Sequence, residues 1–453
     1  MVTIREPARE IDTIHQTDVL VVGSGPGGLA AAVGAARAGV SVCLLERFGC
    51  FGGNITAVGV EGFAWYRHED TIDTEGVGIE FEQRAMEMGA TTSEPQSDSQ
   101  ALDAEAFKWV ADALVMEAGI TPMLHRLFVA PIVRDGAIIG VITESKAGRE
   151  AILAARVIDA TGDADVAHRA AAATVKTPRE EMMSVSVMFS MTGVDPCRFR
   201  EHVQADPQTY RDWDGNGWRI TTSGKEDTMF SPFLRKPFEQ AKEAGLIEAE
   251  MNTIAGTWGA IYDTGDLTYL NLVHLSECDG TNPDDLTRFE MEGRRQAMLA
   301  VDALRRFNPG CERARLRNFG MTLGIRDTRK IDAVYNMTAT DVREQGRFDD
   351  SIGIFPEFID GYGVLILPTT GRYFQVPYRT MLPQGVENLL VAGRATGGDQ
   401  LSHAATRNMM CCTVTGQGAG VAAAMSVKHR SGLSDLRIEL VQAELKRQGV
   451  RLH

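Results

Sequence analysis

Residues 18–46 read Asp18-Val19-Leu20-Val21-Val22-Gly23-Ser24-Gly25-Pro26-Gly27-Gly28, then an alanine-rich run from Leu29 to Gly39, then Val40-Ser41-Val42-Cys43-Leu44-Leu45-Glu46. The apolar run before Gly23 is strand-length and unbroken, the pattern of a strand buried on both faces in a parallel sheet. The glycines mark a turn, the alanine-rich run has helical composition, and the second apolar run is another strand. Together they make one βαβ unit. Gly-x-Gly-x-x-Gly on such a turn has a mechanical reading. The first glycine makes the bend, the second admits a pyrophosphate against bare backbone, and the third lets the helix close on the strand. The helix start offers free N–H groups and partial positive charge to phosphates. Glu46, ending the second strand, is placed to accept hydrogen bonds from ribose hydroxyls. With all four parts present, the pattern predicts a dinucleotide site rather than a structural loop, without separating one dinucleotide from another.

Working outward, about seventeen polar residues precede the first strand. Thr91 to Gln100 is polar and reads as an exposed loop. Residues 101–118 read as a helix, with Leu102, Phe107, Val110, Leu114 and Val115 at helical spacing. Thr121 to Thr161 reads as a β-meander with Asp135-Gly136 as one of its turns. From about 175 to 375 the texture changes to Met-rich alternation (SVSVMFSM), three of the five tryptophans, and helical stretches near 236–248 and 284–307. Asn388-Leu389-Leu390-Val391-Ala392-Gly393-Arg394 is again a buried strand and turn, followed by a small-residue helix over roughly 404–428 and a short amphipathic one. The expected organisation is a first segment over 1–175, an inserted substrate domain over 176–375, and a returning segment over 376–453.

The chain has 453 residues, with 61 acidic against 46 basic side chains and a formal net charge of −15. That balance is a poor match for a nucleic-acid backbone, which demands clustered positive charge. The N-terminus has no apolar signal core, and the apolar runs are strand-length or interrupted, so no membrane-spanning segment is expected. The seven cysteines are scattered without disulfide, zinc or cluster spacing, which points to a reduced, cytoplasmic setting. The expected partners are a small-molecule substrate and an electron donor or acceptor. No nucleic acid or membrane is expected, and a homo-oligomer is left open.

Further motifs follow in order: Glu46 with Gly52-Gly53-Asn54-Ile55-Thr56, Ala160-Thr161-Gly162-Asp163, Leu323-Gly324-Ile325-Arg326-Asp327-Thr328-Arg329, Pro377-Tyr378-Arg379, Asn388 to Arg394, and Gly416-Gln417-Gly418-Ala419-Gly420. On these motifs the chain resembles, nearly end to end, the single-chain FAD-dependent oxidoreductases related to glutathione reductase and fumarate reductase flavoproteins. The resemblance implies an α/β fold: a Rossmann-like FAD-binding domain of the glutathione reductase (ββα) type enclosing an inserted α+β substrate domain. It implies non-covalent FAD with its adenine end near Val129, its pyrophosphate at the first glycine loop and its ring under the last helix. The expected cofactor set therefore includes Gly23 to Gly28, Glu46, Arg47, Gly52, Gly53, Asn54, Val129, Ala160 to Asp163, Gly393, Arg394, Ala404 and Ala405.

What is missing narrows the reaction. No redox cysteine pair follows Gly53, and no second strand–turn–helix glycine motif supplies a nicotinamide domain. No histidine stands where fumarate reductases tether their flavin; Cys50 is the alternative tether, with a packed thiol as its other reading. The expected activity is hydride transfer between a small organic substrate and flavin N5. The rivals are a flavin monooxygenase, disfavoured by Ala392-Gly393-Arg394-Ala395-Thr396 replacing a Gly-Asp-Ala segment, and an FAD-carrying electron-transfer subunit. His403, at the start of the helix beneath the flavin, is the candidate proton carrier, weighed equally against a flavin contact or cap. Arg407 is a further route for the proton. Arg326 and Arg329 read first as structural partners of Asp327 or Asp332, and otherwise as a grip on a substrate carboxylate. Trp65-Tyr66-Arg67-His68 is a candidate lining of the flavin's open face.

Overall fold

The computed structural model describes residues 2–63, 74–95, 97–213, 219–220, 227–368 and 371–453. Strand β1 (Thr13–Val22), helix α1 (Pro26–Arg37) and strand β2 (Val42–Leu45) form the unit that opens the chain. The two strands are parallel, with Val19 to Val22 opposite Val42 to Leu45, and these eight positions are buried. Among the described residues, seven strands make this sheet. Thr121–Met123 lies beyond β2, and the long strand Gly148–Asp159 runs parallel to β1 on its other side. The first half of that long strand pairs with Ala137–Ser145, which pairs with Leu127–Arg134. Asp135 and Gly136 turn this hairpin with φ of 52° and 80°, as a tight two-residue turn between twisted strands requires. The last three residues of the long strand pair with Leu389–Val391, so a strand from near the far end of the chain completes the sheet. This is the Rossmann-like core that the sequence predicts.

A second, antiparallel sheet, of seven strands among the described residues, centres on Leu267–Leu275, flanked by Ile254–Thr257 and Phe189–Thr192. The helix Pro283–Phe307 packs on it through Ala297, Ala300, Val301 and Leu304, an apolar stripe at helical spacing. Asn282 caps its start, the side-chain oxygen accepting from the Asp284 N–H at 2.9 Å.

The core under the second sheet runs from Val185 to Leu323. Met337 to Leu382 pack into the core that holds α1, and Ser351–Pro356 is buried at every position. Two expectations are corrected in detail. Thr91 to Gln100 is not a loop throughout: Thr91–Ser93 pairs with Gln100–Leu102, held there because the Leu102 N–H donates to the Glu61 carbonyl. The helix expected over 404–428 is two, Gln400–Thr406 and Met409–His429. The Asn408 side chain donates to the carbonyls of Ala404 and Ala405 and ends the first.

Met409–His429 is long and apolar enough to cross a membrane, yet 94% of its apolar window is buried inside the protein. It lies against α1 with almost no side chain between them. A Cβ at Gly416 would come within 2.0 Å of the Gly27 carbonyl oxygen, and one at Gly420 within 2.0 Å of that of Ala31.

Candidate active site

A cavity of about 1280 Å³ runs from the first glycine turn to the face of the second sheet. A single small-ligand pocket is typically ~300–1,000 Å³, so this one has room for more than one small molecule. At its first end the glycines separate by function. Gly23 has φ 98° and Gly28 backs onto it, so that added Cβ atoms would meet the Ala160 oxygen at 2.4 Å and the Gly23 oxygen at 1.9 Å. The protein itself needs both. Gly25 has φ −59° and no atom within 4 Å of its would-be Cβ. Its bareness serves only something that occupies the open space, as the approach of a pyrophosphate demands.

Glu46 is buried beside this loop. Its Oε2 accepts from the Ser24 N–H at 3.0 Å and hydroxyl at 2.7 Å, and its Oε1 from the Phe48 N–H at 3.0 Å. A carboxylate has about four acceptor sites, so capacity is left for a ribose hydroxyl. The second turn, Ala160 to Asp163, is braced by Asp159, which the sequence reading had not singled out. Asp159 accepts from the Thr161 N–H and hydroxyl and from the Ala167 N–H, and burial pushes its carboxyl up to about 6. Asp163 accepts from Arg394 Nη2 at 2.8 Å, tying this turn to the one after Leu389–Val391. Arg394 Nη1 is buried with no partner among the described residues, and Arg394 lines the cavity, which leaves a donor over for a ligand. Arg47, Gly53, Asn54 and Gly393 also line the wall. Gly52 and Val129 lie just behind it: the Gly52 N–H donates to the Ser24 carbonyl, and the Val129 carbonyl accepts from Arg169.

At the other end the wall is built by the second sheet. Tyr269 and Asn271 alternate with buried Leu270 and Leu272 along the central strand and face the cavity. Met182, Met183 and Met188 add a soft apolar surface. Tyr269 and Tyr362, both in the wall, have φ of 53° and 52°, a left-handed conformation that bulky residues rarely adopt. Tyr362 donates to the fully buried Asp327 Oδ2 at 2.6 Å. Burial and that carboxylate push the phenol far up, so it stays protonated.

Arg326 and Arg407 line this end. Neither Asp327 nor Asp332 pairs with Arg326. Its Nη1 donates to the Ser184 carbonyl at 2.6 Å and its Nη2 to Asn271 Oδ1 at 3.2 Å. Burial and the neighbouring Arg407 bring its guanidinium down to about 10. Arg329 stays outside the cavity and pairs with Asp165 at 2.8 Å. Arg407 pairs with Asp360 at 3.1 Å.

The structure places His403 differently from the sequence expectation. It is 1% exposed and lies one layer behind the cavity wall, with Ala404 and Ala405. Its Nε2 lies 3.0 Å from the carbonyl oxygen of Arg326, and Nδ1 has no partner among the described residues. Burial and then Lys330 push its pKa far down, so the ring is neutral with its proton on Nε2. In that state it holds the main chain of Arg326. Cys50, the alternative flavin tether, is also off the wall, its thiol 3.7 Å from the Thr56 hydroxyl. Trp65-Tyr66-Arg67-His68 lies outside the described residues. Asn271, Asp360 and Tyr362 were missed. The first had a legible signal in the period-two alternation of Leu267–Leu275; the others come from a segment with no regular pattern.

A family model described as FAD dependent oxidoreductase matches residues 18–445. The digeranylgeranylglycerophospholipid reductase of Methanoculleus marisnigri is 30% identical over 186 residues, 39% of this chain and 46% of that protein. The chain thus spans about half the length of this curated relative. Among solved structures, a geranylgeranyl bacteriochlorophyll reductase-like protein of Thermoplasma acidophilum matches with a TM-score of 0.47 at 14% identity, covering 96% of this chain and 83% of the other. The p-nitrophenol 4-monooxygenase of Pseudomonas putida matches with a TM-score of 0.46 at 12% identity, covering 96% and 84%.

Proposed function

We propose a substrate chamber and a proton route for this chain, which belongs to the FAD dependent oxidoreductase family and is an enzyme that uses FAD. The observation that carries the reading is the continuity of the cavity, from a phosphate-binding turn to a chamber walled by the second sheet. Bound FAD supplies the two-electron chemistry, accepting or giving a hydride at N5. The protein's own groups do the rest. Gly25 leaves room for the pyrophosphate, Glu46 takes a ribose hydroxyl, and the free Nη1 of Arg394 offers a further donor. The chamber holds a small organic molecule, and its methionines and aromatic rings keep bulk water out. A substrate hydroxyl proton passes to Tyr362 Oη as the phenol proton passes to Asp327 Oδ2, 2.6 Å away. The curated relative carries the name of a reductase, which supports including the reverse direction. The reading includes a reducing, cytoplasmic setting, supported by seven cysteines that are all free.

The test is anaerobic mixing of the yellow, FAD-loaded protein with candidate alcohols, acids and enoates. Bleaching of the flavin by one of them, reversed by an organic acceptor, is the expected result. Dioxygen appearing in the product would make the enzyme a monooxygenase. Bleaching by reduced partner proteins alone would make the chain an electron-transfer subunit.

A further inference from the structure

We propose that the chamber binds an organic anion with an apolar body, and that the anion's carboxylate is held by Arg326. The inference rests on the chamber being the substrate site and names the class of substrate it takes.

Four arginines gather around the centre of the molecule, and three are matched one to one. Arg394 meets Asp163 at 2.8 Å, Arg329 meets Asp165 at 2.8 Å, and Arg407 meets Asp360 at 3.1 Å. Arg326 is the exception. It lies deep in the protein, and its two hydrogen-bond acceptors are a main-chain carbonyl and the Asn271 amide oxygen, both neutral. Among the described residues no carboxylate forms an ion pair with it. The charged groups that face it are Arg407, which repels it, and Asp360, which attracts it while pairing with Arg407. An enclosed charge without a counter-charge is costly, and the lowered guanidinium pKa reports that cost. A guanidinium has five donors in a planar fork, and two are in use here. The remainder suit the two oxygens of a carboxylate, with charge-assisted hydrogen bonds on both.

Arg326 calls for one negative charge beside it, which a single carboxylate supplies. The other walls describe the rest of the molecule. Met182, Met183, Met188, Trp213 and Phe233 line the same chamber. Thioethers and aromatic rings accommodate apolar bodies of varied shape. His403 enters as a positioning residue, through its hydrogen bond to the Arg326 carbonyl.

The experiment reads binding, not turnover. FAD-loaded protein is titrated with phenylacetate, phenylacetamide, acetate and succinate, following the perturbation of the flavin spectrum and, independently, the heat of binding. Phenylacetate should bind about 10–100-fold more tightly than its neutral amide, the range expected for hydrogen bonds to a charged group. It should also outbind acetate and succinate. Arg326→Gln should abolish the preference for acid over amide while keeping FAD content unchanged, and Arg326→Lys should leave part of it. Equal binding of acid and amide by the wild-type protein would overturn the proposal, as would an undiminished preference in Arg326→Gln. Tightest binding of succinate would overturn the apolar body. Should Arg326→Gln fail to fold, the wild-type and Arg326→Lys comparisons still decide. A protein that binds phenylacetate with this signature, yet whose flavin no small molecule reduces, would sink the proposed function and leave this inference standing.

Discussion

Gly23 and Gly25 stand two positions apart in one loop and fail in opposite ways. At Gly23, φ is 98° and an added Cβ would lie 2.4 Å from the Ala160 oxygen. Gly23→Val should therefore destabilise the cofactor-free protein by several kcal/mol, roughly the sum of overpacking (~1–3) and backbone strain (~1–3). Gly25→Val should leave the melting of cofactor-free protein near wild type while abolishing FAD retention, because only ligand space is filled. Thermal melts with and without FAD distinguish the two; equal destabilisation of the cofactor-free forms would refute the division. His403 makes a second residue-scale case. Its placement at the head of a helix was legible, but not its depth, because burial depends on what packs from elsewhere in the chain. Since the ring is neutral and tied to the Arg326 carbonyl, His403→Asn, whose amide can donate to the same oxygen, should keep FAD and hold carboxylate affinity within a few-fold. His403→Leu should weaken it about tenfold, the worth of one hydrogen bond. If the Asn variant instead loses an ionisation from the pH profile of flavin reduction, the ring carries the proton after all.

The element whose composition said most about its surroundings is Met409–His429. Its run of Gly, Ala, Thr and Cys has no polar face, which a helix can tolerate only if enclosed. What the sequence left unsaid is which neighbour comes so near. Gly416 lies against Gly27, a member of the phosphate-binding turn. Gly416→Ala should therefore cost about 1–3 kcal/mol or more of stability and also weaken FAD binding, since the displaced partner is the turn itself. A change at Ala424, on the same helix but away from the turn, is the control: Ala424→Gly should lower stability with FAD affinity intact. Equilibrium dialysis of FAD alongside denaturant melts tests both. The break at Arg407–Asn408 had a faint signal in three consecutive polar residues, Thr406 to Asn408. The hairpin beginning at Thr91 had none, because it is held by the main chain of Glu61.

Across the whole molecule, the helix Ala104–Glu117 and the second sheet meet at Glu61. Its carboxylate accepts from the Ala104 N–H at 3.3 Å and from the Thr268 hydroxyl at 2.5 Å, one contact on each side. Burial pushes this carboxyl up to about 7. Because the folded pKa exceeds the unfolded one, the folded state binds more protons between about 4.3 and 7, and stability rises as pH falls through that window. Ionised Glu61 is thus a cost above about pH 7. Glu61→Gln should stabilise the protein by about 3 kcal/mol near pH 8 and by nearly nothing near pH 4. Denaturant melts at both pH values check it; a gain that does not depend on pH would mean that the carboxyl is not displaced. The opening strand–turn–helix–strand unit and its glycine turn could be read in advance because their signals are local. The reach of the second core could not, since Met337 to Leu382 joins the first core only once the far end of the chain has returned.

That return also sets a timetable for making the protein. Lys428 donates to the carbonyl of Ala38 across 390 residues of sequence. A ribosome adding about 5–20 residues per second needs roughly 20–80 s to cover such a distance. For that interval α1 has left the exit tunnel with its small, apolar flank bare, and the nucleotide turn has no floor. The nascent chain is then a client for chaperones, and FAD can be loaded only once Met409–His429 has emerged and packed on α1. A ribosome stalled before residue 409 is made should hold a colourless chain.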